Sequence, residues 1–147
     1  MVYWVSRHCK KRKSWKDFQI VVDRLNAPDL VAYYLRHNFQ YERTYYPQRS
    51  INTIKTGKGD CKAYAIVAYD CLKSAGHNVF ILSMAYNTPT GHSVCVPDRG
   101  KELFSLDNTR GLSGPFGSED EIIITFGFEG EESTREYGYA HMVSRFR

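Results

Sequence analysis

The sequence has no long apolar run, and its purely apolar stretches are only a few residues long, as at 122–124. A membrane-spanning helix needs about 20 predominantly apolar residues, so none is expected. The N-terminus also lacks the charged region, the apolar region and the small-residue cleavage site of a secretory signal. We therefore expect a cytoplasmic protein that has no membrane partner.

No Cys-x-x-Cys pair occurs among the four cysteines, which are Cys9, Cys61, Cys71 and Cys95. In a reducing compartment all four would be free thiols. Without such a pair we expect no structural zinc site. The segment Gly57-Lys58-Gly59 lacks the neighbouring residues of a phosphate-binding loop. The sequence therefore predicts neither a metal nor a cofactor.

Acidic residues are absent from the first sixteen positions, which hold six cations. Because the whole chain has a formal charge of only +4, the remainder is slightly acidic. A nucleic-acid-binding protein is expected to carry its basic residues as a stripe across a folded face. We therefore do not expect a nucleic acid partner, and the basic segment 7–16 is the place where one would bind.

The size and composition indicate one globular domain over residues 1–147. Hydrophobic residues make up 42% and charged residues 24% of the chain, which are ordinary values. A chain of about 150 residues buries ~68–70% of its unfolded surface, which is enough for a core. Aromatic residues reach 14%, including 11 tyrosines, and this favours rings that line a groove as well as the core.

Helices are predicted in the first half of the chain. Ser14 and Asp17 resemble a capping box that would open a first helix, and Pro28 suits the first position of a second helix. Residues 39–56 are expected to be irregular and to form a groove.

A third helix is predicted to begin near Asp60-Cys61 and to end at Gly76, a residue suited to a left-handed C-terminal cap. One of its faces is formed by residues spaced at helical intervals, which are Cys61, Ala65, Ala68 and Leu72. Apolar residues also occupy its other faces, so we expect this helix to be central and buried.

Strands are predicted to follow, at residues 79–86, 92–96, 102–106 and 122–128. The second and third are separated by the turn signal Pro97-Asp98-Arg99-Gly100. The glycine-containing segments 113–117 and 127–130 are expected to be mobile loops. Helices followed by antiparallel strands indicate an α+β fold.

Three residues together suggest nucleophilic chemistry. A thiol in the first turn of a buried helix, as predicted for Cys61, lies where backbone N–H groups and the helix dipole favour the thiolate. Taken alone, Cys61 is better interpreted as a small core residue. However, His92 begins one predicted strand and Asp107 closes the next. A thiolate could attack a carbonyl, the imidazole could hold the proton and the carboxylate could orient the imidazole.

The contact between His92 and Asp107 depends on the register of the hairpin. With a turn centred on Asp98-Arg99, Asp107 would lie one diagonal step from His92, and with a turn centred on Arg99-Gly100 it would face His92 directly. A one-residue slip would place the two on opposite faces. The remaining histidines lack this context and are interpreted as surface or capping residues: His8, His37, His77 and His141.

These residues and their order resemble the transglutaminase-like superfamily. The resemblance is carried by Gly59-Asp60-Cys61 at a helix start, Leu72 and Gly76 at its end, Gly91-His92-Ser93, and Leu106-Asp107-Asn108-Thr109. It covers residues 57–109. It implies a papain-like cysteine-protease fold, with N-terminal helices and a central cysteine-bearing helix packed on an antiparallel sheet. It also implies a Cys61, His92 and Asp107 triad that transfers acyl groups through a thioester, with water or an amine as the acceptor.

The second oxyanion donor is not identified by any motif. In the family that donor often comes from an upstream Gln or Trp, in addition to the N–H of the nucleophile itself. Gln40, Gln48 and Tyr45 are the candidates here.

Three functions remain open. The first is a thiol hydrolase, a peptidase or amidase that acts on a peptide, a protein or a small amide. The second is an amine acyltransferase that uses the same triad. The third is a binding module that keeps the fold without turnover and binds a polyanion through residues 1–16.

Overall fold

The computed structural model describes residues 15–146. Ser14 of the predicted capping box, Cys9 and most of the basic segment lie outside these residues. Four helices form the first half of the described chain: α1 (Trp15–Arg24), α2 (Pro28–Asn38), α3 (Ser50–Thr56) and α4 (Cys61–Ser74). Pro28 occupies the first turn of α2, and Gly76, with φ 87°, follows the end of α4. Both positions are as predicted.

The second half forms a five-stranded antiparallel sheet. Its strands are β3 (Val79–Met84), β4 (His92–Pro97), β5 (Leu103–Asp107), β6 (Gly111–Phe116) and β7 (Ser133–Glu136), in the spatial order β6-β5-β4-β3-β7. Two short strands, β1 (Gln40–Tyr41) and β2 (Lys58–Gly59), pair in parallel, and β2 lies immediately before α4. The remaining helices are α5 (Glu119–Thr125) and α6 (Tyr139–Ser144).

The sheet is covered on both faces, which explains why every residue of β3 is buried. Ile81, Cys95 and Leu106 pack in one apolar cluster with α4 and the helices before it. The alternate residues of the strands, such as Phe80 and Leu82, pack in a second cluster with Ile122 of α5. Successive side chains of a strand point to opposite faces, so each cluster takes every second residue. The predicted α+β architecture and the central position of the cysteine-bearing helix are thus observed.

Two predicted elements are wrong. Residues 39–56, expected to be irregular, contain α3, because Ser50, Thr53 and Ile54 form a buried helical face in a segment of largely polar composition. Residues 122–128, expected to be a strand, lie largely in α5 and the turn after it. Ser118 caps this helix by accepting a hydrogen bond from the backbone N–H of Glu121 at 3.3 Å.

Residues 113–117, expected to be a mobile loop, lie mostly in the edge strand β6. Their glycine and proline content favours a turn in isolation, but pairing with β5 places Ser113 opposite Ser105. None of the helices within residues 15–146 is long and apolar enough to cross a membrane.

We expect Ile122→Ala to destabilise the protein by about 2–4 kcal/mol, because Ile122 is fully buried between α5 and the sheet. Ile124, on the same helix, is 53% exposed and offers a matched control. Ile124→Ala should change the free energy of unfolding by no more than ~0.5 kcal/mol. Urea unfolding of both variants measures the difference, and equal losses would contradict this account of how α5 covers the sheet.

Candidate active site

Cys61 is the first residue of α4, and Asp60 holds it there as the N-cap. The Asp60 carboxylate accepts hydrogen bonds from the backbone N–H groups of Lys62 at 3.0 Å and Ala63 at 3.2 Å. The N–H of Cys61 itself is therefore not used by this cap. The cysteine side chain is partly exposed, so a reagent can approach its sulfur.

The negative charge of Asp60 is compensated within the same turn. The Lys62 ammonium pairs with the Asp60 carboxylate, and the Thr44 hydroxyl donates to it at 3.0 Å. Asp60 is almost completely buried, and a buried carboxylate needs such partners. It therefore ties the start of α4 to the segment around Thr44 and leaves little uncompensated charge beside the Cys61 sulfur.

His92 is the first residue of β4 and lies between the cysteine and the carboxylate. Its Nε2 is 2.9 Å from Oδ2 of Asp107. Burial lowers the pKa of His92, but hydrogen bonds to Asp107 and Cys61 and the negative charges of both outweigh burial and raise the pKa to about 9. Because Nε2 is taken by Asp107, Nδ1 is the ring nitrogen that remains for the Cys61 sulfur.

Gly91 permits the backbone to bring His92 to this position. A Cβ atom at Gly91 would lie 2.4 Å from the carbonyl oxygen of Ala85, a distance that real Cβ atoms essentially never show. Residue 91 must therefore be glycine for the two ends of the β3–β4 connection to approach each other. This explains the glycine before the histidine in physical terms.

Asp107 is held by the residues that follow it. Its Oδ2 accepts from the backbone N–H of Thr109 at 3.0 Å and from the Thr109 hydroxyl, and its Oδ1 accepts from the N–H of Arg110 at 3.0 Å. Burial raises the pKa of this carboxyl, but these bonds and the one from His92 outweigh burial and lower it. Asp107 is therefore an oriented, ionised acceptor for the imidazole.

The register of the β4–β5 hairpin differs from both predicted registers. Cys95 pairs with Leu106 and Asp98 pairs with Leu103, so the loop consists of residues 99–102. This register places Asp107 opposite Val94, one diagonal step from His92. It differs from the predicted registers by an even number of positions, so Asp107 and His92 remain on the same face.

A pocket of about 530 Å³ opens beside Cys61 and His92. Part of its wall comes from the chain before α4, with Tyr41, Arg43 and Tyr45. Other parts of the wall come from the β3–β4 connection, with Tyr86, and from the C-terminal end of the described chain, with Arg145 and Phe146. Sequence reasoning missed this C-terminal wall, because no motif near residue 145 connects it with a cysteine more than eighty residues earlier.

The structure brings only one of the three oxyanion candidates to this pocket. Tyr45 lines it, with 80% of the residue exposed. Gln48 donates its side-chain amide to the carbonyl of Lys58 at 2.6 Å, and Gln40 lines a different cavity beside α2 and α3.

The other described histidines have separate surroundings, which fits their interpretation as surface or capping residues. His77 contacts the Asn26 carbonyl through Nε2 at 2.8 Å, and His141 accepts from the Tyr137 N–H at 3.0 Å. Within residues 15–146, no group of three or more His, Cys, Asp or Glu side chains is arranged to hold a metal ion.

Comparison with known proteins identifies a family. The sequence model of a family described as a transglutaminase-like domain matches residues 6–113. A search of curated proteins returns no significant match.

Among solved structures, three of LapG from Legionella pneumophila are similar to this chain at 18% identity. One of them is EGTA-treated and another is calcium-bound. The alignments cover 72% of this chain and 69–71% of LapG, with TM-scores of 0.48–0.49. The family match spans most of the chain and includes Cys61 and His92. Together with the helices and antiparallel sheet described above, it confirms the predicted papain-like fold class. The chain therefore belongs to the transglutaminase-like superfamily.

Proposed function

We propose that the protein is a thiol-dependent acyl-transfer enzyme, a cysteine peptidase or amidase, in which Cys61, His92 and Asp107 act as a triad. The observation that carries the proposal is the hydrogen bond from Asp107 to His92 beside the Cys61 thiol, at the mouth of a pocket that Cys61 and His92 both line. A buried carboxylate, an oriented imidazole and an accessible thiol at a helix start are the parts that nucleophilic catalysis needs.

The geometry supports a two-step reaction. The Cys61 thiolate attacks the substrate carbonyl carbon, and the tetrahedral intermediate collapses as His92 gives its proton to the leaving amine, which leaves a thioester on sulfur. Water then attacks the thioester carbonyl while His92 takes its proton, which releases the acid and regenerates Cys61. Because the pKa of His92 is raised to about 9, the imidazole carries the required proton at neutral pH.

The backbone N–H of Cys61 is the first oxyanion donor in this proposal, since the Asp60 cap uses the next two N–H groups. For the second donor we propose Tyr45, which is the one among Gln40, Gln48 and Tyr45 that lines the pocket. Its phenol hydroxyl can donate a hydrogen bond to a developing negative charge.

An amine in place of water would convert the same triad into a protein-glutamine acyltransferase. The exposed rings of Tyr41 and Tyr45 line the pocket, and Tyr46 packs against Tyr45, so that these rings could exclude water. Hydrolysis remains the proposal, because the pocket is open to solvent at these rings. Incorporation of a labelled primary amine into glutamine-containing peptides, measured against ammonia release, distinguishes the two reactions.

The proposed roles predict the alkylation of Cys61 by iodoacetamide. The thiolate is the reactive form of a cysteine, and in the proposed triad the His92 imidazole accepts the proton of the Cys61 thiol. We expect His92→Ala to slow the labelling of Cys61 about 10–100-fold at pH 6, because the thiol loses the neighbouring base that accepts its proton.

Peptide mass spectrometry after timed labelling measures these rates, with Cys9 as the internal reference. His37→Ala is the matched control, since His37 is exposed and lies away from the pocket. The proposal would be abandoned if Cys61 reacted no faster than Cys9 below pH 7 and His92→Ala left its rate unchanged. In that case we would favour the hypothesis of a non-catalytic binding module. The affinity of such a module for a polyanion should fall steeply as the salt concentration rises.

The pairing of His92 with Asp107 also predicts how the stability of the protein depends on pH. His92 has its pKa raised from 6.5 to about 9, so its contribution is fully present below pH 6.5 and is lost as the pH rises through 9. The lead of the wild type over His92→Gln in free energy of unfolding should therefore shrink between pH 6.5 and 9.5. Urea unfolding at several pH values measures it, and a lead that grew over this range would contradict the assigned protonation.

The contribution of Asp107 to stability depends on pH in the opposite direction to that of His92. Its pKa is lowered in the folded protein, so its contribution is present above the ordinary aspartate value and is lost as the pH falls through the lowered value. The lead of the wild type over Asp107→Asn should therefore decrease only in strongly acidic solution. A lead that decreased already between pH 7 and 5 would argue against an ionised, hydrogen-bonded Asp107.

A further inference from the structure

Arg145 is fixed in the wall of the pocket by a buried carboxylate that the triad does not use. Its Nε donates to Oε2 of Glu136 and its Nη2 to Oε1, both at 3.1 Å. Glu136 is only 1% exposed, and its carboxylate also accepts from the Ser83 hydroxyl. Ser83 is in turn 2.8 Å from the hydroxyl of Ser93, the neighbour of His92.

The guanidinium of Arg145 is also held between two rings. It lies 4.9 Å from the ring centroid of Tyr86 and 4.9 Å from that of Phe146, and its Nη1 donates to the Tyr86 carbonyl at 3.4 Å. A guanidinium has five N–H donors in a fixed plane. Among the described residues three of them are used, so one N–H on Nη1 and one on Nη2 remain for a molecule in the pocket.

The charges of the pocket wall are unequal. Besides His92, three basic side chains line it, from Arg43, Lys62 and Arg145, and Asp60 is the one carboxylate among the lining residues. Lys62 and Asp60 pair with each other. Glu136 does not line the pocket. An anion in the pocket is therefore closer to the Arg145 guanidinium than to the Glu136 carboxylate that pairs with it. Within residues 15–146 no ion pair is formed by Arg43.

We propose that this pocket selects acyl donors that carry a carboxylate next to the reacting carbonyl, such as peptides with an acidic residue there. Arg145 is the main cationic contact and Arg43 the second. A planar guanidinium held by Glu136 presents its remaining N–H groups in the arrangement that suits a carboxylate. The neighbouring rings of Tyr41, Tyr86 and Phe146 cover the apolar part of the same substrate. This proposal rests on the proposed function and adds the substrate class.

The test compares two alkylating reagents that differ in charge and attack the same sulfur. Iodoacetate is an anion and iodoacetamide is neutral, so the ratio of their second-order rates at Cys61 reports the potential in the pocket. A change in the thiolate fraction affects both rates and cancels in the ratio. In Arg145→Gln the ratio should fall ~3–10-fold, and in Arg43→Gln ~2–3-fold, because each loses one nearby positive charge.

Two further variants separate this charge effect from other causes. Arg145→Lys keeps the charge, and we expect its ratio to stay within about twofold of the wild type. Arg135→Gln removes an exposed cation from β7 that pairs with Glu119 and stacks on Phe80 away from the pocket, and it should leave the ratio unchanged. Raising the salt concentration should lower the ratio of the wild type more than that of Arg145→Gln.

An unchanged ratio in both Arg145→Gln and Arg43→Gln would overturn the proposal, and so would an equal fall in Arg135→Gln. If Arg145→Gln does not fold, Arg43→Gln and the salt dependence of the wild type still decide. Failure of the proposed function is recognised separately, because it removes the dependence of the iodoacetamide rate on His92. The substrate class is wrong when that dependence persists and the ratio does not respond.

Discussion

The antiparallel pairing of β4 with β5 is the constraint on which the candidate site depends. Cys95 opposite Leu106 leaves Asp107 and His92 on one face, close enough for a 2.9 Å hydrogen bond. A slip by one residue would turn every side chain of β5 to the other face. It would move Leu106 out of the cluster that packs with α4 and would separate the carboxylate from the imidazole. Burial of the core and assembly of the site therefore enforce the same register.

The start of α4 and the end of β5 each carry a buried carboxylate that is stabilised mainly by neighbouring residues in the sequence. Asp60 is buried and is neutralised by backbone N–H groups and by Lys62. Asp107 is buried and is held by Thr109 and by the N–H of Arg110. In each case a short sequence motif supplies the hydrogen bonds that a buried carboxylate requires. These motifs are recognisable in the sequence because most of the hydrogen bonds to each carboxylate come from the three residues that follow it.

The features that could be predicted from the sequence are those that local sequence specifies, and the features that were missed depend on tertiary contacts. The cysteine-bearing helix, the strands that carry His92 and Asp107, and the family were predictable, because periodicity and local motifs specify them. The helix α5 was misread as a strand because Ile122, Ile123 and Ile124 favour β structure locally, and tertiary burial of Ile122 decides otherwise. The hairpin register was missed because its loop is longer than the turn signal indicated. The single-domain boundaries and the roles of the site residues stay predictions.

Arg145 and Glu136 show why the C-terminal wall could not be foreseen and why it matters. Their contact joins β7 to the residue after α6, and nothing in either local sequence announces it. A buried ion pair is weak evidence for stability, since well-packed apolar residues often serve as well. The stability of the fold therefore does not explain why a half-buried guanidinium lies here, in the wall of the pocket that Cys61 also lines. Its fixed orientation in the pocket offers a reason, because a charge held in place before substrate arrives costs little to reorganise when substrate binds.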